Sequence, residues 1–172
     1  MNQKQLKTMA LKIKGIAEEV RKHLGCGFQE NIFQGALAIE FRKNKVEYLK
    51  EVNIEIFYKG ESVGADRPDF IITKIGDTKE TIILELKVAD KITDNHRSQL
   101  KSYCTSFPLN KNPLLSNFIG GILITFPACD IDSCSNIKLF VVDSKFNVII
   151  DEQAEEDNRI FLEKEKQKKK QK

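Results

Sequence analysis

Asp69, within Arg67-Pro68-Asp69-Phe70, and Glu85, within Glu85-Leu86-Lys87, sit on two apolar runs that a turn is expected to fold onto each other. Halfway between them falls residue 77, inside Ile75-Gly76-Asp77-Thr78, where Gly-Asp and polar neighbours mark a turn between strands ending near Ile72 and starting near Thr81. The two carboxylates should then face each other. Side chains alternate along a strand, so Glu85 and Lys87 project to one face while Leu84, Leu86 and Val88 project to the other. Two carboxylates beside one ammonium suit metal-assisted hydrolysis of a phosphodiester. Hard oxygen ligands select Mg2+ or Mn2+, with water filling the octahedron, and a bound cation lowers the pKa of its water. An ammonium two residues from a ligand can hold the attacking water and offset the charge that builds in the transition state.

An isolated acid in a strand usually faces solvent. Asp69 and Glu85, however, lie among Phe70, Ile71, Ile72, Ile82, Ile83 and Leu84, apolar on both faces as in central strands covered on two sides. Carboxylates there cost several kcal/mol in desolvation unless ion-paired or bound to a cation. Lys87 is either an ion-pair partner of these acids or a participant in chemistry, and the two roles are compatible. Arg67 shares the strand face of Asp69, as its salt-bridge partner or as a phosphate clamp.

The elements that must position these groups follow from periodicity. Leu6, Met9, Ala10, Ile13, Ala17, Val20 and Leu24 recur at three and four, which predicts an amphipathic helix over residues 3 to 24, stopped by Gly25-Cys26-Gly27. Ile32, Phe33, Ala36, Leu37 and Phe41 restart the helical period to about Asn44, making Glu30 a first-turn residue. There it could simply complement the helix dipole, worth ~0.3–1 kcal/mol. Alternation predicts strands at 52 to 58, 63 to 73 and 81 to 88. Thr93 is the expected cap of a helix running to Phe107, with Ile92, His96, Gln99 or Leu100, Tyr103 and Phe107 on one stripe. Pro108 and Pro113 enforce a loop, Phe118 to Phe126 reads as a buried strand, and 137 to 142 with 146 to 150 as a further hairpin. The order predicts an α/β sandwich with a mixed central sheet. The expected organisation is one domain over residues 1–150, with its motif core at about 10–126 and an extra hairpin at 137–150, then a charged Lys-rich tail at 151–172.

Composition is that of a globular chain, 41% hydrophobic and 31% charged over 172 residues. The net charge of +3 is uneven. Residues 1 to 24 carry +4 and residues 163 to 172 another +4, leaving −5 for residues 25 to 162. An acidic centre suits cations, and the ends attract nucleic acid. No apolar run approaches the roughly eighteen residues of a membrane span, and the Lys-dotted start lacks the apolar block of a secretory signal. No membrane contact is expected, and the expected location is intracellular, cytoplasmic or nuclear, not secreted. Cys26, Cys104, Cys129 and Cys134 are then expected as reduced thiols, with Cys129 and Cys134 at most half a zinc site.

Pro-Asp, a spacer and Glu-x-Lys resemble the signature of the PD-(D/E)xK nuclease superfamily. Gly27-Phe28-Gln29-Glu30-Asn31-Ile32-Phe33 resembles the Gly-x-x-Glu-x-x-Tyr motif of one branch, the GxxExxY family, with Phe33 in place of Tyr. Tyr58-Lys59-Gly60-x-x-Val63-Gly64 ahead of Arg67-x-Asp69 is similar to its second landmark, and His96-x-x-Gln99 with Tyr103 to the helix after Glu-x-Lys. The resemblance implies a restriction-endonuclease-like three-layer sandwich and a Mg2+-dependent (or Mn2+-dependent) nuclease. It places Asp69, Glu85 and the Leu86 carbonyl on the metal, Lys87 at the water, and Glu30 and Gln99 as supporting catalytic groups, with Glu30 near or on the metal. Arg67, His96, Lys168, Lys169 and Lys170 are the expected nucleic-acid contacts. DNA is favoured over RNA as partner, and self-association into a homo-oligomer is left open. The rival readings are a catalytically inactive nucleic-acid-binding or assembly protein that keeps the nuclease fold, and a structural module whose polar cluster is only an ion-pair network.

Overall fold

The computed structural model describes residues 2–113, 116–128 and 136–170. The chain opens with α1 (Asn2–Leu24) and α2 (Glu30–Lys43), joined by a loop in which Gly25 and Gly27 adopt left-handed φ of 76° and 87°. Those angles close α1 at no Cβ cost, and the Gly25 N–H donates to the Arg21 carbonyl. The α1 stripe of Leu6, Met9, Ala10, Ile13, Ala17 and Val20 is buried, as its spacing predicts.

Next come β1 (Glu47–Lys50), β2 (Ile54–Tyr58), β3 (Glu61–Asp66), β4 (Phe70–Lys74) and β5 (Thr81–Val88), then α3 (Asp94–Ser106) with a short 3-10 turn (Phe107–Leu109). The chain continues with β6 (Phe118–Phe126), β7 (Lys138–Asp143), β8 (Val148–Asp151) and α4 (Glu152–Lys170). Six strands form one mixed sheet in the order β1-β4-β5-β6-β7-β8, parallel between β5 and β6 and antiparallel elsewhere. One face packs on α1 and α2 through Phe70, Ile72, Ile82, Leu84, Leu86, Ile122 and Ile124, and the other on α3 through Ile71, Ile83, Leu123, Phe140 and Val142. This is the α/β, restriction-endonuclease-like layering expected from the sequence. Gly121 lets α3 come close, since a Cβ there would approach Cys104 Sγ to 2.7 Å.

Three sequence expectations are corrected. The strand foreseen over 63 to 73 is two strands, because Pro68 has no N–H for a ladder. Its first half, β3, pairs with β2 in a separate two-stranded sheet, while β4 enters the main sheet between β1 and β5. Second, β1 is a strand that no periodicity announced, being four residues long. Third, Cys26 is disulfide-bonded, which overturns the reduced-thiol expectation at that position. Cys104 is free and buried, its thiol pushed up to about 12 by burial. The half zinc site at Cys129 and Cys134 lies outside the described residues.

The charged segment after Asp151 continues as helix to Lys170. Its first turns are anchored. Glu152 accepts from Lys14 at 2.7 Å and from the Leu139 N–H at 2.8 Å, and Glu156 pairs with the buried Lys138 at 2.6 Å. Beyond them Phe161 and Lys169 are exposed.

Candidate active site

The β4–β5 register pairs Phe70 with Leu84, Ile71 with Ile83 and Ile72 with Ile82. Continued by one residue, it sets Asp69 beside Glu85, as the midpoint of the hairpin requires. The turn sits where expected, with Ile75 bridging Thr78 around Gly76. Parity holds too. Leu84 and Leu86 enter the core under α1 and α2, whereas Ile83, in step with Glu85 and Lys87, enters the core under α3.

Asp69 immediately precedes β4. Its Oδ2 accepts from the Leu86 N–H at 2.7 Å and its Oδ1 from the Gln34 amide at 2.6 Å. Burial raises its pKa, and the Leu86 N–H works in the opposite direction. Glu85 is 2% exposed, with Oε1 accepting from Lys87 Nζ at 2.7 Å and Oε2 buried without a hydrogen-bond partner among the described residues. Burial first, and then the charge of Asp69, lift its pKa to about 7. Lys87 is itself half-buried. Burial disfavours its ammonium, yet the bond to Glu85 and the surrounding carboxylates outweigh that and raise its pKa, so the ammonium stays charged.

Glu30, in the first turn of α2, comes within 3.6 Å of Lys87 Nζ, and its charge is among those that raise the Asp69 pKa. Lys87 thus stands between Glu85 and Glu30. Gln99 donates to the Tyr103 hydroxyl at 3.0 Å, and that hydroxyl reaches the Arg67 carbonyl at 3.3 Å and Asp66 at 3.4 Å. Burial, then the charge of Glu85, raises the Tyr103 pKa, so the hydroxyl stays neutral. His96 caps α3 reciprocally with Thr93: its N–H donates to Thr93 Oγ1, and its Nδ1 accepts the Thr93 N–H at 3.2 Å. Burial and then the positive charge of Lys87 lower its pKa, which keeps the ring neutral. Arg67 is exposed and makes no ion pair among the described residues, so it is not the salt-bridge partner of Asp69. Lys168 and Lys169 lie exposed on α4, Lys168 within 3.3 Å of Glu165, and Lys170 ends that helix.

Gln34 escaped sequence reasoning. Its signal was there: it follows Glu30 by one helical turn, so both reach the same end of the sheet. Thr125 also went unremarked. It pairs with Lys87 across the β5–β6 ladder, and its buried hydroxyl, like Glu85 Oε2, has no hydrogen-bond partner.

The donor set fits a hard divalent cation. Two carboxylates and a backbone carbonyl offer only oxygen, and a buried, unpartnered Glu85 Oε2 is an atom that a cation satisfies. No third His, Cys, Asp or Glu completes a metal-holding group among the described residues, so water would supply the remaining ligands.

Protonation of Glu85 couples the site to stability. With its folded pKa near 7 and an ordinary value of 4.5, the folded state holds this proton more tightly than the unfolded state. Stability of the metal-free protein is therefore lost as pH rises through that window. Thermal melts in chelator between about pH 5 and pH 8 should fall for the wild type, and Glu85→Gln should flatten the decline. Parallel curves would show that Glu85 is not its source.

No curated protein matches the sequence. A family model does, over residues 7–130, a span that holds Glu30, Asp69, Glu85, Lys87 and Gln99. The chain belongs to the PD-(D/E)XK nuclease superfamily.

Proposed function

We propose that the chain is an active, divalent-metal-dependent nuclease of the GxxExxY type that hydrolyses phosphodiester bonds, with DNA as its substrate. The observation that carries this reading is the meeting of Asp69, Glu85 and Lys87 at the β4–β5 hairpin, with one buried carboxylate oxygen left unsatisfied.

Asp69, Glu85 and the Leu86 carbonyl would hold Mg2+ or Mn2+, which supplies Lewis acidity at the phosphate and a more acidic water. The chain's own groups do the rest. Gln34 and the Leu86 N–H fix the rotamer of Asp69, presenting it already desolvated. Lys87, charged throughout the neutral range, acts as donor to the attacking water and as counter-charge to the transition state rather than as a base. Glu30 holds the far side of the ammonium and limits its motion. Gln99 and Tyr103 brace the Arg67 backbone, which sets the entry of Asp69 into β4, and leave the exposed Arg67 guanidinium for a phosphate. His96 has one nitrogen committed to its cap, so a nucleic-acid contact falls to Nε2.

A cleavage assay with single- and double-stranded DNA and RNA, with Mg2+, Mn2+ or chelator, tests the proposal. Metal-dependent cleavage of DNA is the expected result. Binding without cleavage in either metal would instead identify a protein that keeps the fold without turnover.

The basic end of α4 is assigned to affinity rather than chemistry, because residues 163 to 172 carry +4 and lie outside the matched region. Deleting them should weaken DNA binding and flatten its salt dependence, each lost phosphate contact removing roughly 0.9 from the log–log slope on duplex DNA and about 0.7 on a single strand. Single-turnover cleavage at saturating enzyme should hardly change. An unaltered slope would free Lys168, Lys169 and Lys170 of this role.

A further inference from the structure

Phe28 stands two residues ahead of Glu30 on the loop between α1 and α2, and it is 44% exposed. Large aromatic rings carry much of the contact area in folded proteins and interfaces, so an open ring two residues ahead of Glu30 is a surface that a planar ligand could use. The ring meets Phe33 edge-to-face, with centroids 6.3 Å apart and planes at 79°. Phe33 in turn lies stacked on Phe126 at 4.5 Å, so the series is rooted in the core at the end of β6. In an edge-to-face pair one ring gives only its edge, and Phe33 therefore covers at most one face of Phe28. Glu30 follows Phe28 by two residues and lies 3.6 Å from Lys87 Nζ. Phe126, at the root of the aromatic series, pairs with Val88, the residue after Lys87, so both the loop and the series tie Phe28 to the neighbourhood of the cluster.

Charge decides what that ring can receive. Residues 25 to 162, which hold the whole site, sum to −5. A duplex footprint depends on many phosphate contacts, and residues 25 to 162 are poorly supplied with them, the excess positive charge lying in α1 and at the end of α4. Stacking of a base on an aromatic face adds affinity without cationic charge, and it is open only to a base that is not already stacked and paired.

We propose that Phe28, backed by Phe33, is a stacking platform for an unpaired nucleobase near the phosphate to be cut, so that the substrate is single-stranded nucleic acid. The assignment rests on the nuclease reading of the neighbouring centre, but its test reads binding and not turnover.

The sequence has no tryptophan, so Phe28→Trp supplies a sole tryptophan whose emission can be excited apart from that of the tyrosines. In a Lys87→Ala background with Mg2+, titration with a single-stranded thymidine oligonucleotide should quench its emission, and a blunt duplex of equal length should not. In the same background Phe28→Leu keeps an apolar contact for Phe33 and removes the ring. Anisotropy of labelled oligonucleotides should show single-strand affinity reduced by about 5- to 100-fold, the range of one base–aromatic stack. Duplex affinity should hold within about twofold, and Phe28→Tyr should bind like the parent. Equal quenching by both forms, or a Phe28→Leu variant that binds single strands as the parent does or loses both forms in proportion, would overturn the platform. Should Phe28→Leu fail to fold, quenching and the tyrosine variant decide alone. If quenching holds while the wild-type protein cleaves nothing, it is the nuclease reading that fails.

Discussion

Lys87→Ala should lower the rate of metal-dependent cleavage by about 100- to 1,000-fold, the loss that follows removal of one group aimed at transition-state charge. The fold should survive, because Lys87 lies at the polar end of β5, half-buried rather than in either hydrophobic cluster. Its removal also takes a hydrogen bond from the buried Glu85, so the rate must be read at saturating metal, with a thermal melt in the same buffer. A fall in kcat with an unchanged melt assigns the ammonium to the chemical step. Unchanged cleavage removes Lys87 from the mechanism, and a collapsed melt points to an ion pair that serves structure alone.

Titration with Mg2+ or Mn2+ should raise the melting temperature of the wild type and do so far less for Asp69→Asn. At about 100-fold excess over its dissociation constant, a ligand that binds only the folded state contributes ~2.7 kcal/mol. Two effects reinforce this here. Burial first, and then neighbouring carboxylate charge, have raised both acid pKa values, so an added cation relieves a cost already present in the folded protein. It also gives Glu85 Oε2 the partner it lacks. Glu85→Gln should blunt the shift in the same way. Equal shifts in wild type and Asp69→Asn would place the metal elsewhere.

The hairpin chemistry was legible because it is local and periodic. A two-residue alternation and a turn at the midpoint are enough to oppose Asp69 to Glu85 and to put Lys87 on the face of Glu85, and β5 was recognisable from its apolar residues Ile82, Ile83, Leu84, Leu86 and Val88. The Thr93 cap and the α1 stripe were legible for the same reason, since capping and helical periodicity act over a few residues. The division of residues 63 to 73 into β3 and β4 was missed although Pro68 was visible. Proline at that position ends a ladder only if its N–H side would have faced a partner, which depends on strands distant in sequence.

The amino-acid sequence by itself determined the helices α1 to α3, the strands β5 and β6, the opposition of the two acids and the superfamily, all of which rest on short-range spacing and the order of motifs. Tertiary structure decided what surrounds them. Gln34 reaches Asp69 across 35 residues and Glu30 reaches Lys87 across a longer interval, because α2 crosses the sheet at the end where β5 exposes its polar residues. Packing likewise raised the acid pKa values and left Glu85 Oε2 without a partner. It also left Phe28 partly exposed ahead of α2. Desolvation and long-range contact have no period along a chain, so neither leaves a trace in the sequence pattern.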